Sequence, residues 1–327
     1  MSEKVVIAVD VLGGDFGPQV VLPGIEQALE EDENLEVIAC GPKDVVVPFA
    51  EAHDRVRAQA TTEDEHPAQA VRKKKDSSLV VGNRLVSEGV AGGFFSAGST
   101  GACLAAATLV VGRIKGVARP ALCTILPSPS KPVVMCDVGA NADCKPAYLV
   151  QFAQMAIPYA EKVVGITEPK VALLNIGEEE TKGSKFAQEA HALLRESVPE
   201  FVGNAEGRDL LTGEFDVIVT DGFTGNVCLK TIEGAASVLF KSIKDVMMAS
   251  PVSKLGALAL KGGLSDLKNN LSADEYGGAP ILGVKGACLV GHGSSNETAI
   301  KNGILVAART VRLDVSGIIA QTVSTAQ

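Results

Sequence analysis

Short apolar runs alternate with longer segments of helical period along nearly the whole chain. Short runs bounded by turn residues are typical of buried strands, and longer periodic segments are typical of helices. The predicted strands are Lys4–Asp10, Leu35–Cys40, Arg55–Thr61, Gly93–Ser96, Ala121–Leu126, Val133–Asp137, Val171–Ile176, Phe215–Thr220, Ile281–Val284 and Ala287–Val290. The predicted helices are Pro18–Glu31, Pro42–His53, Pro67–Gly89 with a break near Asp76, Thr100–Ile114, Pro146–Val164, Ser184–Ser197, Gly225–Ala249 and Asn296–Val311.

This alternation predicts a three-layer α/β fold, in which helices cover both faces of a mostly parallel sheet. Residues 1–314 are expected to form a single domain of at most two lobes, with a protruding helical segment near 247–275. Residues 315–327 are small and polar and are expected to fray as a C-terminal tail. Ligands of such sheets bind beyond the carboxyl ends of the strands, so the polar turns are expected along one edge.

Composition narrows the class of protein. The 327 residues are 46% hydrophobic and contain no Trp, which predicts a large aliphatic core. The net charge of −9 argues against a nucleic-acid partner. The seven cysteines form no CxxC pair and the four histidines have no metal-ligand spacing, so neither a metal nor a cofactor is expected. No signal peptide is expected, because Lys4 is followed by only a short strand and then Asp10, and no apolar run is long enough to span a bilayer. A cytoplasmic location, at most peripheral at the inner face of the cell membrane, is therefore expected.

Six turns between predicted elements are rich in Gly, Ser, Thr, Asn and Asp. They occupy residues 13–15, 96–101, 137–141, 175–178, 221–226 and 291–296. None is a GxGxxG turn after the first strand or a GxxxxGK[ST] loop, which disfavours a nucleotide. Backbone N–H groups at helix starts, with hydroxyl and amide side chains, suit inorganic phosphate or an acyl phosphate. Each turn alone is also explained as a helix cap, but six together favour a binding site.

Three further side chains are candidates for the chemistry. Lys182 follows a predicted strand, where its cation can offset a phosphate dianion or merely balance three neighbouring glutamates. His292 lies between two glycines and can donate a hydrogen bond to an oxyanion or only to the backbone. Cys144 has no neighbouring histidine to activate it, which disfavours a covalent thiol mechanism.

The turn-rich blocks of the chain are, in order, VDVLGGDFGP, SAGSTGA, DVGANADCKP, LLNIGEEETKG, GNAEGRDL, DGFTGNVCLK, EYGGAPILGVKG and GHGSS. Together they run from Val9 to about Ser295 and resemble the acyl-ACP:phosphate acyltransferase family of bacterial phospholipid synthesis. The chain departs from the family pattern at Val11-Leu12, where a small residue and Met are usual. It also has Ser99 where the family usually has Asn, and Tyr148 where the family usually has His. A serine hydroxyl still donates to phosphate.

The resemblance implies a homodimer with a fold related to phosphotransacetylase and isocitrate dehydrogenase-like enzymes. It implies that the protein moves a long-chain acyl group from acyl carrier protein to inorganic phosphate. The acyl phosphate product would then serve a membrane glycerol-3-phosphate acyltransferase.

Phosphate is itself a competent nucleophile, so the protein needs to position it against the thioester carbonyl and stabilise the oxyanion. Lys182 is expected to offset the charge and Asn226 or His292 to bind the oxyanion, while Asp15 and Asp221 orient these groups. The expected phosphate-binding residues are Gly13, Gly14, Asp15, Ser96, Gly98, Ser99, Thr100, Gly101, Asn141 and Asn175.

Two regions are candidates for partner contacts. In residues 251–271, Leu260, Leu264, Leu267 and Leu271 recur at helical spacing with Lys254, Lys261 and Lys268 alongside. Such a stripe indicates peripheral membrane contact or, alternatively, core or dimer packing, and three glycines weaken a continuous helix. The acidic carrier protein requires basic residues, for which Arg72–Lys75 and the pair Lys241 and Lys244 are candidates or simply solvated charges.

Three other functions remain open at this level. A phosphotransacetylase would share the phosphate chemistry and use an acyl-CoA donor. A metal- and NAD-dependent dehydrogenase would need clustered acids and a dinucleotide site, neither of which the sequence contains. A non-catalytic scaffold protein of lipid synthesis would not need so many polar turns.

Overall fold

The computed structural model describes residues 4–62, 74–270 and 277–325. Eleven strands in these residues form one sheet. They are β1 (Val5–Asp10), β2 (Leu35–Pro42), β3 (Val56–Thr61), β4 (Gly93–Ser96), β5 (Ala121–Leu126), β6 (Val133–Cys136), β7 (Val171–Leu174), β8 (Phe201–Ala205), β9 (Val217–Val219), β10 (Ala279–Leu282) and β11 (Ala287–Val290). The predicted α/β architecture is confirmed.

Ten α-helices in the described ranges cover this sheet. They are α1 (Pro18–Glu31), α2 (Lys43–Glu51), α3 (Ser78–Ser87), α4 (Thr100–Ala106), α5 (Pro146–Tyr159), α6 (Lys185–Ser197), α7 (Gly222–Met248), α8 (Pro251–Asn270), α9 (Glu297–Arg312) and α10 (Val315–Thr325). Wide π turns extend α4 through Ala107–Val111 and α5 through Ala160–Val164, and Gly207–Leu211 forms a 3₁₀ turn. No described helix combines the length and apolar character that crossing a bilayer requires.

The sheet order is β3-β2-β1-β4-β11-β10-β5-β6-β9-β7-β8. Strands β1, β2, β3, β4 and β11 form parallel pairs and run in one direction. Strand β5 runs in the same direction, because β10 is antiparallel to both β11 and β5. Strands β6 to β10 run in the other, because β6 is antiparallel to β5 and parallel to β9. The carboxyl ends of the two sets therefore lie at opposite edges. The prediction that all polar turns share one edge is wrong, since strand direction is set by nonlocal pairing.

The core is aliphatic on both faces of the sheet. The central strands β1 and β4 are almost fully buried, as expected for strands covered by helices on both sides. Phe94 and Phe95 point to opposite faces and join two different apolar clusters. Helix α1 packs on α9 through Gly24, where a Cβ would lie 2.6 Å from the Ile300 side chain. These contacts fix the turns that follow β1, β4 and β11.

Three elements differ from the sequence prediction. Strand β8 was not predicted, because its Gly and Asn weaken a strand pattern. Residues 251–270 form helix α8 within the predicted helical segment near 247–275, and the difference is that this helix is continuous despite its three glycines. The expected C-terminal tail is instead helix α10, in which Val315, Ile319 and Val323 are buried against the core. Spacing at i, i+4 and i+8 gives these residues one helical face, which the surrounding small polar residues obscure.

Some predicted features lie outside the described part of the chain. These include the start of the predicted helix Pro67–Gly89, Arg72 and Lys73 of the basic run, and Leu271. The side chains of Leu264, Leu267, Lys261 and Lys268 are also outside it. Leu260 is described, and 61% of its surface is exposed.

Candidate functional site

The turns after β1, β4 and β11 surround a cavity of about 420 Å³, here named the polar cavity. Its lining residues are Gly14, Asp15, Ala97, Gly98, Ser99, Thr100, Lys230, Gly291, His292 and Gly293. Most of this lining is glycine backbone, hydroxyl groups and one lysine. The structure therefore brings together five of the ten residues predicted to hold phosphate, namely Gly14, Asp15, Gly98, Ser99 and Thr100, and adds Lys230.

A second cavity of about 350 Å³, here named the apolar cavity, lies over the sheet face between α4 and α7. Its apolar lining includes Leu104, Leu122, Ile125, Val138 and Leu229. Both cavities are lined by four of the same residues, namely Thr100, Lys230, Gly291 and His292. A polar compartment thus meets an apolar one at a cation, a hydroxyl group and an imidazole.

A buried aspartate holds the turns of the polar cavity together. The Ser96 hydroxyl donates to Asp10 Oδ2 at 2.8 Å and accepts from the backbone N–H of Gly98 at 2.9 Å. The backbone N–H of Leu12 donates to Asp10 Oδ1 at 3.1 Å. Ser96 is fully buried, which favours a positioning role over the predicted direct contact with phosphate. Asp10 was not predicted from the sequence, because a carboxylate at the end of an apolar strand is too common to indicate a binding site.

Gly13 and Gly14 let the first turn approach its neighbours. A Cβ on Gly13 would lie 2.7 Å from Ser96 Oγ, closer than van der Waals contact permits. Gly14 has φ +90°, in the region that favours glycine, and lines the polar cavity. The backbone N–H of Asp15 donates to Gly293 O at 2.7 Å, which joins this turn to the turn after β11.

Helix α4 begins at the polar cavity without a side-chain cap. Ser99 is its N-cap residue, yet the Ser99 side chain makes no capping hydrogen bond. The first N–H groups of a helix have no intrahelical acceptor and favour an anion. In contrast, Ser77, Ser184, Asp221 and Asn296 each accept the capping hydrogen bond of their own helix. The cap interpretation therefore explains those four positions and leaves Ser99 available for a ligand.

Lys230 reaches the cavities from α7. It lies one helical turn after Asn226, which lines the apolar cavity. Lys230 Nζ is 2.7 Å from Glu233 Oε2, and the lysine side chain is 54% exposed. Lys230 was not predicted from the sequence, although the spacing of Asn226, Lys230 and Glu233 places all three on one helix face and could have indicated it.

His292 has a defined hydrogen-bonding pattern. The backbone N–H of Ser294 donates to His292 Nδ1 at 3.3 Å, and Ser294 Oγ lies 2.8 Å from the same atom. With Nδ1 as the acceptor, the proton of the neutral ring is assigned to Nε2. The Nε2–H group is then available as a donor in the cavity.

The turn after β6 supports the start of α7 at the other end of the apolar cavity. Asp137 is fully buried and accepts hydrogen bonds from the backbone N–H groups of Leu122, Gly139, Ala140 and Asn141. Burial raises the pKa of its carboxyl above the ordinary value, although these hydrogen bonds act in the opposite direction. Asn141 donates to Asp137 Oδ2 and to Pro120 O, both at 2.8 Å. Its amide is therefore engaged in holding the turn.

Asp221 is the N-cap residue of α7, and Asn226 begins the second turn of this helix. Asp221 accepts from the backbone N–H and the hydroxyl of Thr224, at 2.8 and 2.7 Å, so its carboxylate caps the helix. Asn226 is exposed and lines the apolar cavity opposite Gly139. Of the two, Asn226 is placed to contact a ligand, whereas Asp221 is placed to orient the helix.

The loop after β7 holds Asn175 and Lys182 and contributes to neither cavity lining. Asn175 Nδ2 donates to Lys182 O at 3.2 Å, and Asn175 Oδ1 accepts from the backbone N–H of Ile176. Lys182 Nζ lies 4.0 Å from Glu179 Oε2. The contact with phosphate that the sequence predicted for these two residues stays a prediction.

Cys144 is unsuited to act as a nucleophile. Its Sγ donates to Asn141 O at 3.4 Å, and burial beside Asp137, Asp221 and Asp143 raises the pKa of the thiol to about 11. Near neutral pH the thiol is therefore almost wholly protonated.

Comparison with known proteins identifies the family. A family model described as "Fatty acid synthesis protein" matches residues 5–317. The phosphate acyltransferase of Desulfitobacterium hafniense (strain Y51) is 50% identical over 313 residues, covering 93% of each chain. The chain belongs to the phosphate acyltransferase family. The phosphate acyltransferase of Heliobacterium modesticaldum is 48% identical over 315 residues, covering 94% of each chain. The chain is accordingly an acyltransferase of fatty acid and phospholipid synthesis.

Solved structures support the fold of this phosphate acyltransferase. A branched-chain phosphotransacylase from Enterococcus faecalis V583 has a TM-score of 0.61 at 16% identity, covering 94% of this chain and 99% of the other. A phosphotransacetylase from Streptococcus pyogenes has a TM-score of 0.60 at 17% identity, covering 94% of each. The predicted relation to the phosphotransacetylase fold is confirmed.

Proposed function

We propose that this phosphate acyltransferase transfers a long-chain acyl group from the thioester of acyl carrier protein to inorganic phosphate. The single observation that carries the proposal is the junction of the polar and apolar cavities at Thr100, Lys230, Gly291 and His292. Phosphate fits the polar side, and an aliphatic chain fits the apolar side. The thioester carbonyl then lies between them, within reach of both.

Phosphate binds at the uncapped start of α4. The N–H groups of the first turn, the Ser99 and Thr100 hydroxyl groups and the backbone N–H of Gly14 donate to its oxygens. Lys230 offsets its charge from the facing helix. Asp15 lines the same cavity, where its carboxylate repels the dianion, and its backbone N–H donates to Gly293 O and joins the two turns.

The reaction needs no covalent enzyme intermediate. A phosphate oxygen attacks the thioester carbonyl carbon, and the carbonyl oxygen becomes an oxyanion. Asn226 or the Nε2–H of His292 donates to that oxyanion. When the tetrahedral intermediate collapses, the C–S bond breaks, the carrier thiolate leaves with the electron pair and takes a proton from solvent. The products are acyl phosphate and free carrier.

The wider assembly belongs to the same proposal. We propose a homodimer that releases acyl phosphate to a membrane glycerol-3-phosphate acyltransferase and contacts the bilayer peripherally. Large apolar side chains on α7 and α8 are exposed, among them Val238, Val246, Val252 and Leu258. Such a surface marks an interface with protein or lipid. Light scattering that gives the mass of one chain would contradict the homodimer.

Product trapping tests the reaction. Purified protein receives phosphate with either palmitoyl-ACP or palmitoyl-CoA, and hydroxylamine traps acyl phosphate as the hydroxamate. We expect product from palmitoyl-ACP that depends on added phosphate. Product from palmitoyl-CoA alone would instead indicate a phosphotransacetylase-type donor, and product from neither would indicate a scaffold.

A further inference from the structure

The loop between the π turn of α4 and strand β5 carries an exposed group of cations. Arg113, Lys115 and Arg119 belong to this loop, and Lys285 lies beside it because its backbone N–H donates to Gly112 O at 3.0 Å. All four side chains are exposed. None forms an ion pair within 4.0 Å of a carboxylate in the described ranges. We call these four residues the basic surface.

The loop is held in a fixed conformation. The Arg113 guanidinium donates to Val117 O and Ala118 O. Gln151 of α5 accepts from the backbone N–H of Ala118 at 2.9 Å and donates to Gly116 O at 3.0 Å. The cations are therefore presented on a loop that is held by hydrogen bonds.

A groove of about 250 Å³ connects the basic surface with the apolar cavity. Its lining includes Arg119 of the basic surface, Asn141, Thr108 and Leu109. Its inner end shares Gly101 and Leu104 with the apolar cavity. Leu109 is 60% exposed. From Thr100 to Val111 the helix spans about 16 Å at 1.5 Å per residue.

We infer that the basic surface is the docking site of the acyl donor, an acidic carrier protein whose phosphopantetheine arm lies in the groove. The inference rests on the proposed function. Four exposed cations that have no carboxylate partner among the described residues complement an acidic protein, despite the net charge of −9 of the whole chain. The arm is a narrow, partly apolar chain of a length comparable with α4 and its π turn. It reaches the junction of the two cavities from the edge opposite the phosphate site.

This surface has an advantage over the basic candidates that the sequence suggested. Lys241 and Lys244 lie on α7, 11 and 14 residues beyond Lys230, which is roughly 16 to 21 Å along the helix at 1.5 Å per residue. Neither lysine lines the polar cavity, the apolar cavity or the groove. Of the run Arg72–Lys75, Arg72 and Lys73 lie outside the described residues.

Charge reversal tests the docking surface. In Lys115→Glu/Lys285→Glu we expect the KM for palmitoyl-ACP to rise about tenfold or more at low salt. The kcat and the KM for phosphate stay close to those of the unmodified enzyme, because neither side chain lines the two cavities. The matched control Lys162→Glu/Lys170→Glu makes the same change of charge at exposed lysines elsewhere and leaves the KM for palmitoyl-ACP unchanged. Circular dichroism verifies that both variants fold.

Filling the groove gives a second, independent readout. Thr108→Phe is expected to raise the KM for palmitoyl-ACP or lower kcat without changing the KM for phosphate, whereas the similarly sized Thr108→Val retains both. An unchanged KM in Lys115→Glu/Lys285→Glu, or an effect confined to Lys241→Glu/Lys244→Glu, would overturn the docking surface. If the unmodified enzyme forms no acyl phosphate from palmitoyl-ACP, the proposed function itself fails, and the docking surface with it.

Discussion

Two lysines compete for the role of the cation that offsets phosphate. Lys230 lines both cavities, whereas Lys182 lies in the loop after β7 beside Glu179. Sequence reasoning selected Lys182 because it follows a strand and a glycine, which is a local signal. The position of Lys230 against the start of α4 depends on how α7 packs across the sheet, and no local pattern contains that information.

Removing the Lys230 cation is expected to weaken phosphate binding. A hydrogen bond to a charged group contributes about 1.5–3 kcal/mol, so Lys230→Ala should raise the KM for phosphate by roughly 10- to 100-fold. Lys230→Arg keeps the charge and should restore most of the affinity. Steady-state kinetics at saturating palmitoyl-ACP measures both. A normal phosphate KM in Lys230→Ala with a raised one in Lys182→Ala would return the role to Lys182.

The serines at the two sides of the same turn are expected to respond differently. Ser96→Ala leaves the buried Asp10 carboxylate without its hydroxyl donor, which costs about 1–3 kcal/mol of the free energy of unfolding. Ser99→Ala removes an exposed hydroxyl that makes no capping bond, so stability should change little while the KM for phosphate rises. Urea unfolding and kinetics on both variants measure the contrast. Equal stability losses would show that Ser99 is a structural cap after all.

At the scale of elements, α4 and α7 create the site because they face each other across the apolar cavity, on the same face of the sheet. Helix α4 begins at the carboxyl end of β4, and α7 begins near the opposite edge, at the carboxyl end of β9. Lys230, two turns into α7, therefore meets the first turn of α4. Most element positions were predicted from periodicity, and α1 was predicted with its observed ends Pro18 and Glu31. Turn residues and hydrophobic periodicity are local features, and they are sufficient to predict where a helix begins and ends.

The entry of α7 depends on a glycine. A Cβ on Gly225 would lie 1.9 Å from Asp137 O, so Gly225→Ala must displace either α7 or the Asp137 turn. We expect a loss of about 1–3 kcal/mol in the free energy of unfolding, as for overpacking, with lower kcat because Asn226 moves. Gly234→Ala, in the same helix with open space around it, should instead stabilise by about 0.5–1 kcal/mol. Denaturant unfolding of the pair measures this, and equal effects would contradict the close approach.

At the scale of the whole molecule, the sheet contains two sets of strands that run in opposite directions. The polar turns consequently divide between two edges, and only the set after β1, β4 and β11 surrounds the polar cavity. The turn after β6 and the start of α7 serve the other end of the apolar cavity. One fold thus separates the phosphate end from the edge at which the donor is proposed to dock.

The exposed apolar side chains of α7 and α8 are the basis for predicting that the protein binds the membrane surface. The protein is expected to float with vesicles that contain phosphatidylglycerol, because a lipid-like product favours release at a bilayer and Lys254 adds positive charge. Val252→Asp/Leu258→Asp should remain unbound, since both side chains are more than two-thirds exposed, at 79% and 70%. The control Val90→Asp/Val202→Asp changes exposed valines elsewhere and should still float. No flotation of the unmodified protein, with or without the acidic lipid, would remove membrane contact.

The sequence by itself determined the α/β class, most element positions, the family and the polar turn after β4. Each of these depends on local periodicity, turn chemistry or ordered motifs, which are properties of neighbouring residues. Only the tertiary structure decided the direction of the strands, the helical state of residues 315–325 and the pairing of Lys230 with the start of α4. It also separated Ser96, Asn141 and Asp221, whose polar groups hold the turns, from Ser99, whose hydroxyl makes no cap. The reason is physical: burial and hydrogen-bond partners come from residues far apart in the chain, and they decide whether a polar side chain supports the fold or faces a ligand.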